Sequence, residues 1–534
     1  MVKYYYTFVS LLMILAPFIF AQVGEGTVFN VKAFGAAGDG VTNDRSAIQR
    51  AVDSCSKNGG TVLFPPGKYL TGSIELNNNV DLYLQMGALI LGSTDIKQYK
   101  EYIPNIKSYN DLFLKYSLFY AEGKKNISIR GEGIIDGQGE AFKVITKVKP
   151  DRYMNRPYVI RFVQCNSVKI EDITLKNSAM WMQQYLACEN LFIKGITVYN
   201  HANQNNDMMD IDGCKNVVIA DCIGDTEDDA ITLKSTSPFI TENISISNCV
   251  VSSHCNAIKT GTESTGGFRN IAITNIVVKP SANRIAKVGY PDGISGISLT
   301  NVDGGVLENI TISNITIDGP QVPMYIRLGN RGRKHTASAV TPNIGTVKGI
   351  TISNVVATNV GSIGCSISGI PNYYAEDISL NNITINYKGG GTLEDAKKII
   401  PESEDQYPES TGWGILPAYG FFVRHVKNIS FSNIFLKFQE EDVRSAFIAD
   451  NVNGLTLNGF QAQASPNTEN LFQFNNTQNG SIYSSKSTSP VKCFLSVQGE
   501  KSEKINLIGN DLSNVSTMVN ALNSKIVRAE ANTR

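Results

Sequence analysis

The chain has 534 residues, of which 48 are basic, 48 acidic and 42% hydrophobic, so it can build a large core and carries no net formal charge. That balance excludes a general electrostatic attraction to nucleic acid or to an anionic membrane, and leaves any affinity for an acidic polymer to local patches. Nine cysteines are an odd number for a disulfide framework.

The apolar run from Phe8 to Phe20 follows one lysine and ends at Ala21, which predicts a secretory signal peptide over residues 1–21. It is short for a membrane span, and no later segment is apolar enough to cross a bilayer. The sequence therefore predicts a secreted or periplasmic protein with no membrane partner after cleavage and no nucleic-acid partner. Residues 22–93 read as an N-terminal cap and first coils. Ala47, Ile48, Ala51, Val52 and Cys55 recur at helical spacing behind Asn43-Asp44, a helix opened by an Asn or Asp cap. Such a helix suits the open end of a stack of strands, whose unpaired edge invites aggregation.

Residues 94–473 are organised by a repeat. Asn190-Leu-Phe-Ile, Asn216-Val-Val-Ile, Asn243-Ile-Ser-Ile and Asn270-Ile-Ala-Ile begin 26, 27 and 27 residues apart, with further copies from Asn126, Ser167, Asn309, Gly349, Asp377, Asn428 and Asn453. Each unit alternates apolar and polar residues, turns at an Asn or Asp, and alternates again, which is a strand, a bend and a strand. A unit this small cannot bury its apolar side alone, so units must stack, Ile over Ile and Asn over Asn. The expected fold is all-β, a single-domain right-handed parallel β-helix with a short N-terminal helical cap. Cys188 and Cys214, and Cys222 and Cys249, stand one repeat apart, so they read as stacked apolar residues rather than bridges. From Gly389 to Ser410, Gly, Pro and charge predict a long loop. Residues 474–534 lose the repeat and read as divergent coils and an end cap.

Aligning the strands places Asp207-Met-Met-Asp over Asp229-Ala-Ile-Thr and that over Asn256-Ala-Ile-Lys, so Asp207, Asp229 and Asn256 share a column with Asp228 beside them. Adjacent coils are spaced by roughly 4.8 Å. Carboxylates that close cannot all ionise easily, and at least one should hold its proton. One protonated and one ionised acid are what hydrolysis of a glycosidic bond needs.

The runs Gly133-Ile-Ile-Asp-Gly-Gln-Gly, Ser178-Ala-Met-Trp181, Asn205-Asn-Asp207 and Asp228-Asp229, in this order and spacing, resemble glycoside hydrolase family 28, the polygalacturonases and rhamnogalacturonan hydrolases. The segment Phe34 to Asp44 resembles the start of the same superfamily, and the likeness extends from about Val28 to Phe460. It implies an inverting hydrolase of pectic polysaccharide or oligosaccharide. Asp228 then matches the general acid, Asp207 and Asp229 match the pair that activates water, and no metal or other cofactor is required.

Two positions depart from the family pattern. Asn256 stands where the family's Gly-His-Gly histidine is expected, with His254 two residues earlier, and Ser298 and Thr300 stand where an Arg-x-Lys is expected. The substrate-binding candidates are therefore His254, Asn256, Lys259 and Arg327, the last two read in one column with Ser298, with Arg331 and Arg333 adding charge. Trp181 and Trp413 are candidate sugar platforms or core residues, and Tyr407 to Tyr419 could wall off one end of a cleft. A rhamnogalacturonan hydrolase or other pectin exo-glycosidase, a lyase on a pectate-lyase-like solenoid, and a non-catalytic carbohydrate-binding β-helix remain alternatives.

Overall fold

Successive coils pair strictly in parallel, from Val28–Asn30 at one end to Val527–Glu530 at the other. The computed structural model describes residues 27–146, 148, 151–521 and 524–533, and the predicted signal peptide lies outside them. Among the described residues no helix is long and apolar enough to cross a membrane. The architecture is the expected all-β right-handed parallel β-helix with a helical segment at its N-terminal end.

The apolar repeat becomes the interior. Val217, Ile244, Ile271, Ile310, Ile350, Ile378, Ile429 and Leu455 form one column, coil on coil, none more than 2% exposed. Each such burial is worth roughly 1.5–3 kcal/mol, and no coil can realise it without its neighbours. Cys188 stacks on Cys214 and Cys222 on Cys249, and all nine cysteines are unbridged and buried.

The bends are held by side-chain ladders. Asn216, Asn243, Asn270 and Asn309 adopt φ of 57°, 60°, 56° and 58°, a left-handed conformation that Asn tolerates better than most residues. The Nδ2 of each donates to the Oδ1 of the Asn one coil earlier, at 3.2, 3.1, 3.1 and 3.2 Å. A second ladder runs through Asn248, Asn275, Asn314, Asn354 and Asn382. One copy begins a residue later than the spacing predicts, because Lys427 pairs with Asn453, which puts Gly454 (φ 78°) under Asn428.

At the N-terminal end, Arg45–Asn58 is helical and buries Ala47, Ile48, Ala51, Val52 and Cys55. Its first bond is made by Asn43, whose Oδ1 accepts from Arg45 N at 3.0 Å. Asp44 instead turns its carboxylate to the amides of Ala37 and Gly38, at 2.7 and 3.0 Å, tying the helix to the chain that enters the first coils. At the other end the sequence repeat fades but the register continues, with Ile482 under Leu507 and Leu507 under Ala529. The predicted loop spans residues 390–417 between Ala375–Gly389 and Ala418–Glu440, and carries the one-turn helix Leu393–Ala396.

Candidate active site

Three consecutive turns lead into the strands Met209–Asp212, Ile231–Ser235 and Asn256–Ser264. Met208 N donates to Asp229 O at 3.0 Å, and Ala230 N to Asn256 O at 2.9 Å, which sets Asp207, Asp229 and Asn256 in one column as the repeat predicts. The motif residues build the first turn. Asn206 Nδ2 donates to the carbonyls of Ser178 and Met180, both at 2.8 Å, and Asn200 Nδ2 donates to Asp207 O at 3.0 Å. Gly139 closes the Gly133 motif against Ser178, where any Cβ would collide with the Ser178 carbonyl.

The acids have unequal surroundings. Asp229 accepts from Lys259 Nζ at 2.8 Å on Oδ2, and from Asn256 Nδ2 at 2.8 Å and Asn256 N at 3.2 Å on Oδ1. Burial alone would discharge Lys259, but Asp229, Tyr407 and Glu409 together outweigh it and hold the ammonium well above the usual lysine range. Asp228, half-buried, has a carboxylate oxygen within 4.8 Å of one of Asp229. Desolvation, then the charge of Asp229, raises its pKa. Asp207 is 2% exposed. Burial, then repulsion from Asp210 and Asp228, pushes it well above the carboxylate range, with Lys234 opposing. Lys234 Nζ sits 3.9 Å from Asp207, 3.5 Å from Asp210 and 3.7 Å from Glu263, and lies over the ring of Trp181 at 4.6 Å. Burial opposes its charge, yet these acids hold Lys234 above its usual pKa.

Asp207, Asp228 and Asp229 open into one cleft of about 250 Å³, walled by Tyr109, Phe113, Tyr153, Trp181 and Tyr407 and edged by Arg152, Lys234, Glu263 and Arg333. Its mixture of rings and charge suits a sugar with an acidic substituent. Arg152 places Nε in the interior with no hydrogen-bond partner, while its other arm donates to Gln204 at 2.9 Å.

The other candidates are distributed differently. Asn256 and Lys259 reach the cluster through Asp229 and do not line the cleft among the described residues. His254 does not line it either. It is 0% exposed, with Nδ1 3.2 Å from Glu227 Oε2 and Nε2 2.6 Å from the Asn283 carbonyl. Arg327 corrects a register. Lys259 pairs with Ser298, as expected, but Ser298 pairs with Tyr325, and Arg327 pairs with Thr300. Its guanidinium donates to Ser368 Oγ and to the carbonyls of Gly369, Glu402 and Ser403, and lies over Trp413 at 4.9 Å. Arg327 thus anchors the 390–417 loop instead of facing the acids. Arg331 is turned to Asp303, whereas Arg333 reaches the cleft and pairs with Glu263 at 2.5 Å. Of the Tyr407–Tyr419 stretch, Tyr407 lines the cleft.

Arg152, Lys234 and Glu263 escape the sequence reading. Lys234 and Glu263 occur on strands of the acid coils, so their outward positions were a usable signal; Arg152 comes from an irregular segment with none.

The sequence profile of glycosyl hydrolases family 28 matches residues 98–403, and that of rhamnogalacturonase A/epimerase, pectate lyase-like, matches residues 28–90. A probable polygalacturonase of Vitis vinifera is 34% identical over 212 residues, 38% of this chain and 43% of that protein. An exo-poly-alpha-D-galacturonosidase of Dickeya chrysanthemi is 28% identical over 251 residues, 38% of this chain and 41% of that protein. The matched stretch thus spans less than half the length of these relatives. The Yersinia enterocolitica family 28 exopolygalacturonase structure superposes with a TM-score of 0.63 at 20% identity, covering 81% of this chain and 78% of that one, which shows the common fold. With the family's profile matched over more than half of its length, and the motifs that carry the match forming one acid-lined cleft, the chain belongs to glycosyl hydrolases family 28.

Proposed function

We propose that this protein is a glycoside hydrolase that cleaves pectic polysaccharide by an inverting acid/base mechanism. The observation that carries the reading is the pairing of unlike neighbours. Asp228 faces the cleft in an environment that favours its proton, while Asp229 beside it is ion-paired to Lys259. Asp207 also favours its proton but is almost fully buried, so Asp228 is the acid placed to meet a leaving glycosidic oxygen. Asp229 and Asp207 then direct the attacking water, as in the family pattern. Lys234 beside Asp207 supplies the positive charge against which that acid can release its proton. Arg152 and Arg333, which edge the cleft, are the groups we assign to a substrate carboxylate. The predicted signal peptide supports export, where such a polymer would be met.

A second reading, a rhamnogalacturonan backbone as substrate, is favoured by the match of residues 28–90 and by hydroxyls at Ser298 and Thr300 where a cation pair is usual. Incubation with polygalacturonate and with rhamnogalacturonan, with and without chelator, tests both. New reducing ends without unsaturated products, with the released anomer inverted by NMR, is the expected result, and the better polymer identifies the backbone. Unsaturated products would replace the hydrolase with a lyase, and inertness toward both polymers would remove the pectic assignment.

A further inference from the structure

Beside the acid pair, but outside the cleft lining, two histidines from the coils before and after that of Glu227 meet its carboxylate. His201 is 5% exposed, and His254 and Glu227 are 0% exposed. His201 Nε2 lies 2.9 Å from Asp225 Oδ1, and His254 Nε2 lies 2.6 Å from the Asn283 carbonyl. A carbonyl only accepts. Asp225 also accepts from Ser281 Oγ at 2.6 Å and Ala282 N at 2.9 Å, as an ionised carboxylate does. Both rings therefore carry a proton on Nε2 and turn Nδ1 inward, where a neutral imidazole offers a lone pair. Those two Nδ1 atoms face the same atom, Glu227 Oε2, each at 3.2 Å. His254 Nδ1 is out of line for an N–H···O bond and has no hydrogen-bond partner. The other oxygen, Glu227 Oε1, is occupied by the amides of Lys287 and Val288. Two imidazole nitrogens and one carboxylate oxygen thus converge in the interior within 4.8 Å of one another, His201 Nδ1 in hydrogen-bond contact with Glu227 and His254 Nδ1 without a partner.

We propose that His201, Glu227 and His254 form a transition-metal site, zinc by the character of its donors, that fixes the turn carrying Asp228 and Asp229. Two imidazoles and one carboxylate suit zinc rather than calcium or magnesium, which take oxygen ligands. A tetrahedral ion with bonds of about 2.0–2.2 Å holds its donors roughly 3.3 Å apart, which is the separation each histidine already has from Glu227. Asp225 and Asn283 serve as the outer partners that set ring orientation at such sites. Three protein donors leave the fourth position of the ion to a water molecule, and the role we assign to the ion is to hold the turn. Glu227 immediately precedes Asp228, so an ion there would hold the backbone from which the acid projects, and the inference does not depend on which glycan is cut.

The test uses the whole purified protein, stripped with chelator and titrated first with zinc and then with cobalt(II) as a spectroscopic probe. One equivalent of zinc, a higher Tm with zinc present, and visible cobalt bands of a four-coordinate site are expected. Asp225→Asn should weaken zinc binding by roughly 10–100-fold, and Glu227→Gln and His254→Gln should abolish it. Should those two variants fail to fold, the wild-type cobalt spectrum decides. A six-coordinate aqueous cobalt spectrum with no retained zinc would mean that a protonated histidine neutralises Glu227, and the proposal falls. Tetrahedral bands that persist in both folded variants would place the metal elsewhere and also overturn it.

Discussion

At the bends carrying Asn216, Asn243 and Asn270 every coil repeats the one before, whereas at the turns carrying Asp207, Asp229 and Asn256 the surroundings of the side chain change from coil to coil. Both are columns of the same parallel ladder with the same spacing. In the first, each amide satisfies its neighbour and the column is electrically neutral. In the second, burial and like charge work against the side chains, and Lys234, Lys259 and Asn256 compensate. The regular column supports the irregular one. The interior can be stacked by repetition, so a few neighbouring turns are able to carry poorly solvated acids at little risk to the fold.

The most direct way to break this contrast is to remove the acid and leave the stack. Asp228→Asn should lower kcat roughly 10²–10⁴-fold, because the amide cannot deliver a proton to the leaving oxygen, while Tm hardly changes. An Asp228→Asn enzyme with near-normal kcat on the native polymer would remove Asp228 from the acid role.

Next in size is the support for Asp229. Lys259→Met leaves a buried carboxylate without its ion-pair partner, and breaking such a pair costs roughly 3–5 kcal/mol. Denaturant unfolding should show that loss, and adding Asp229→Asn to the same variant should recover part of it, since the stranded charge is then gone. A Lys259→Met protein as stable as the wild type would mean that the 2.8 Å pair contributes nothing net.

The same contrast explains what could be read from the sequence. Repetition is visible in a single chain, so the interior columns, both the Asp207–Asp229–Asn256 alignment and the stacked cysteines, followed from spacing alone. Arg327 shows the limit. Its coil was placed two residues out of register, and because side chains alternate with a period of two, a slip of two keeps every apolar residue inside and leaves no trace in the pattern. His254 was drawn toward the cleft by its closeness to Asn256 in sequence, but its ring turns to Glu227 on the neighbouring coil. Arg152 and Tyr407 lie in irregular segments, where no periodicity reports direction, and only the packed structure brings them to the acids.

The buried acids also make a pH prediction with a definite sign. Asp210, like Asp207, has its pKa raised well above the ordinary value by burial first. A carboxyl raised in the folded state contributes stability that is fully present below its unfolded pKa and is lost as pH rises through the folded one. Asp210→Asn cannot titrate, so the stability difference between wild type and variant should shift in favour of the variant as pH is raised from about 4 to neutrality. Thermal unfolding across that range checks it, and a difference independent of pH would show that Lys234 at 3.5 Å cancels the burial.

The smallest effect belongs to the regular column. Asn243 holds φ of 60° and donates to Asn216 while accepting from Asn270. Asn243→Ala removes both bonds and keeps a Cβ in the left-handed region, where the conformation alone costs roughly 1–2 kcal/mol. Asn243→Gly removes the same bonds without that strain. If conformation is what the ladder residue mainly supplies, Ala should destabilise the protein by about 1–2 kcal/mol more than Gly in denaturant unfolding. Gly349 and Gly454, which occupy the equivalent bends at φ of 69° and 78° with no side chain to donate, favour that outcome. Equal losses for Ala and Gly would instead make the amide ladder the main contribution. In either case kcat should stay at the wild-type value, because this column touches none of the acids.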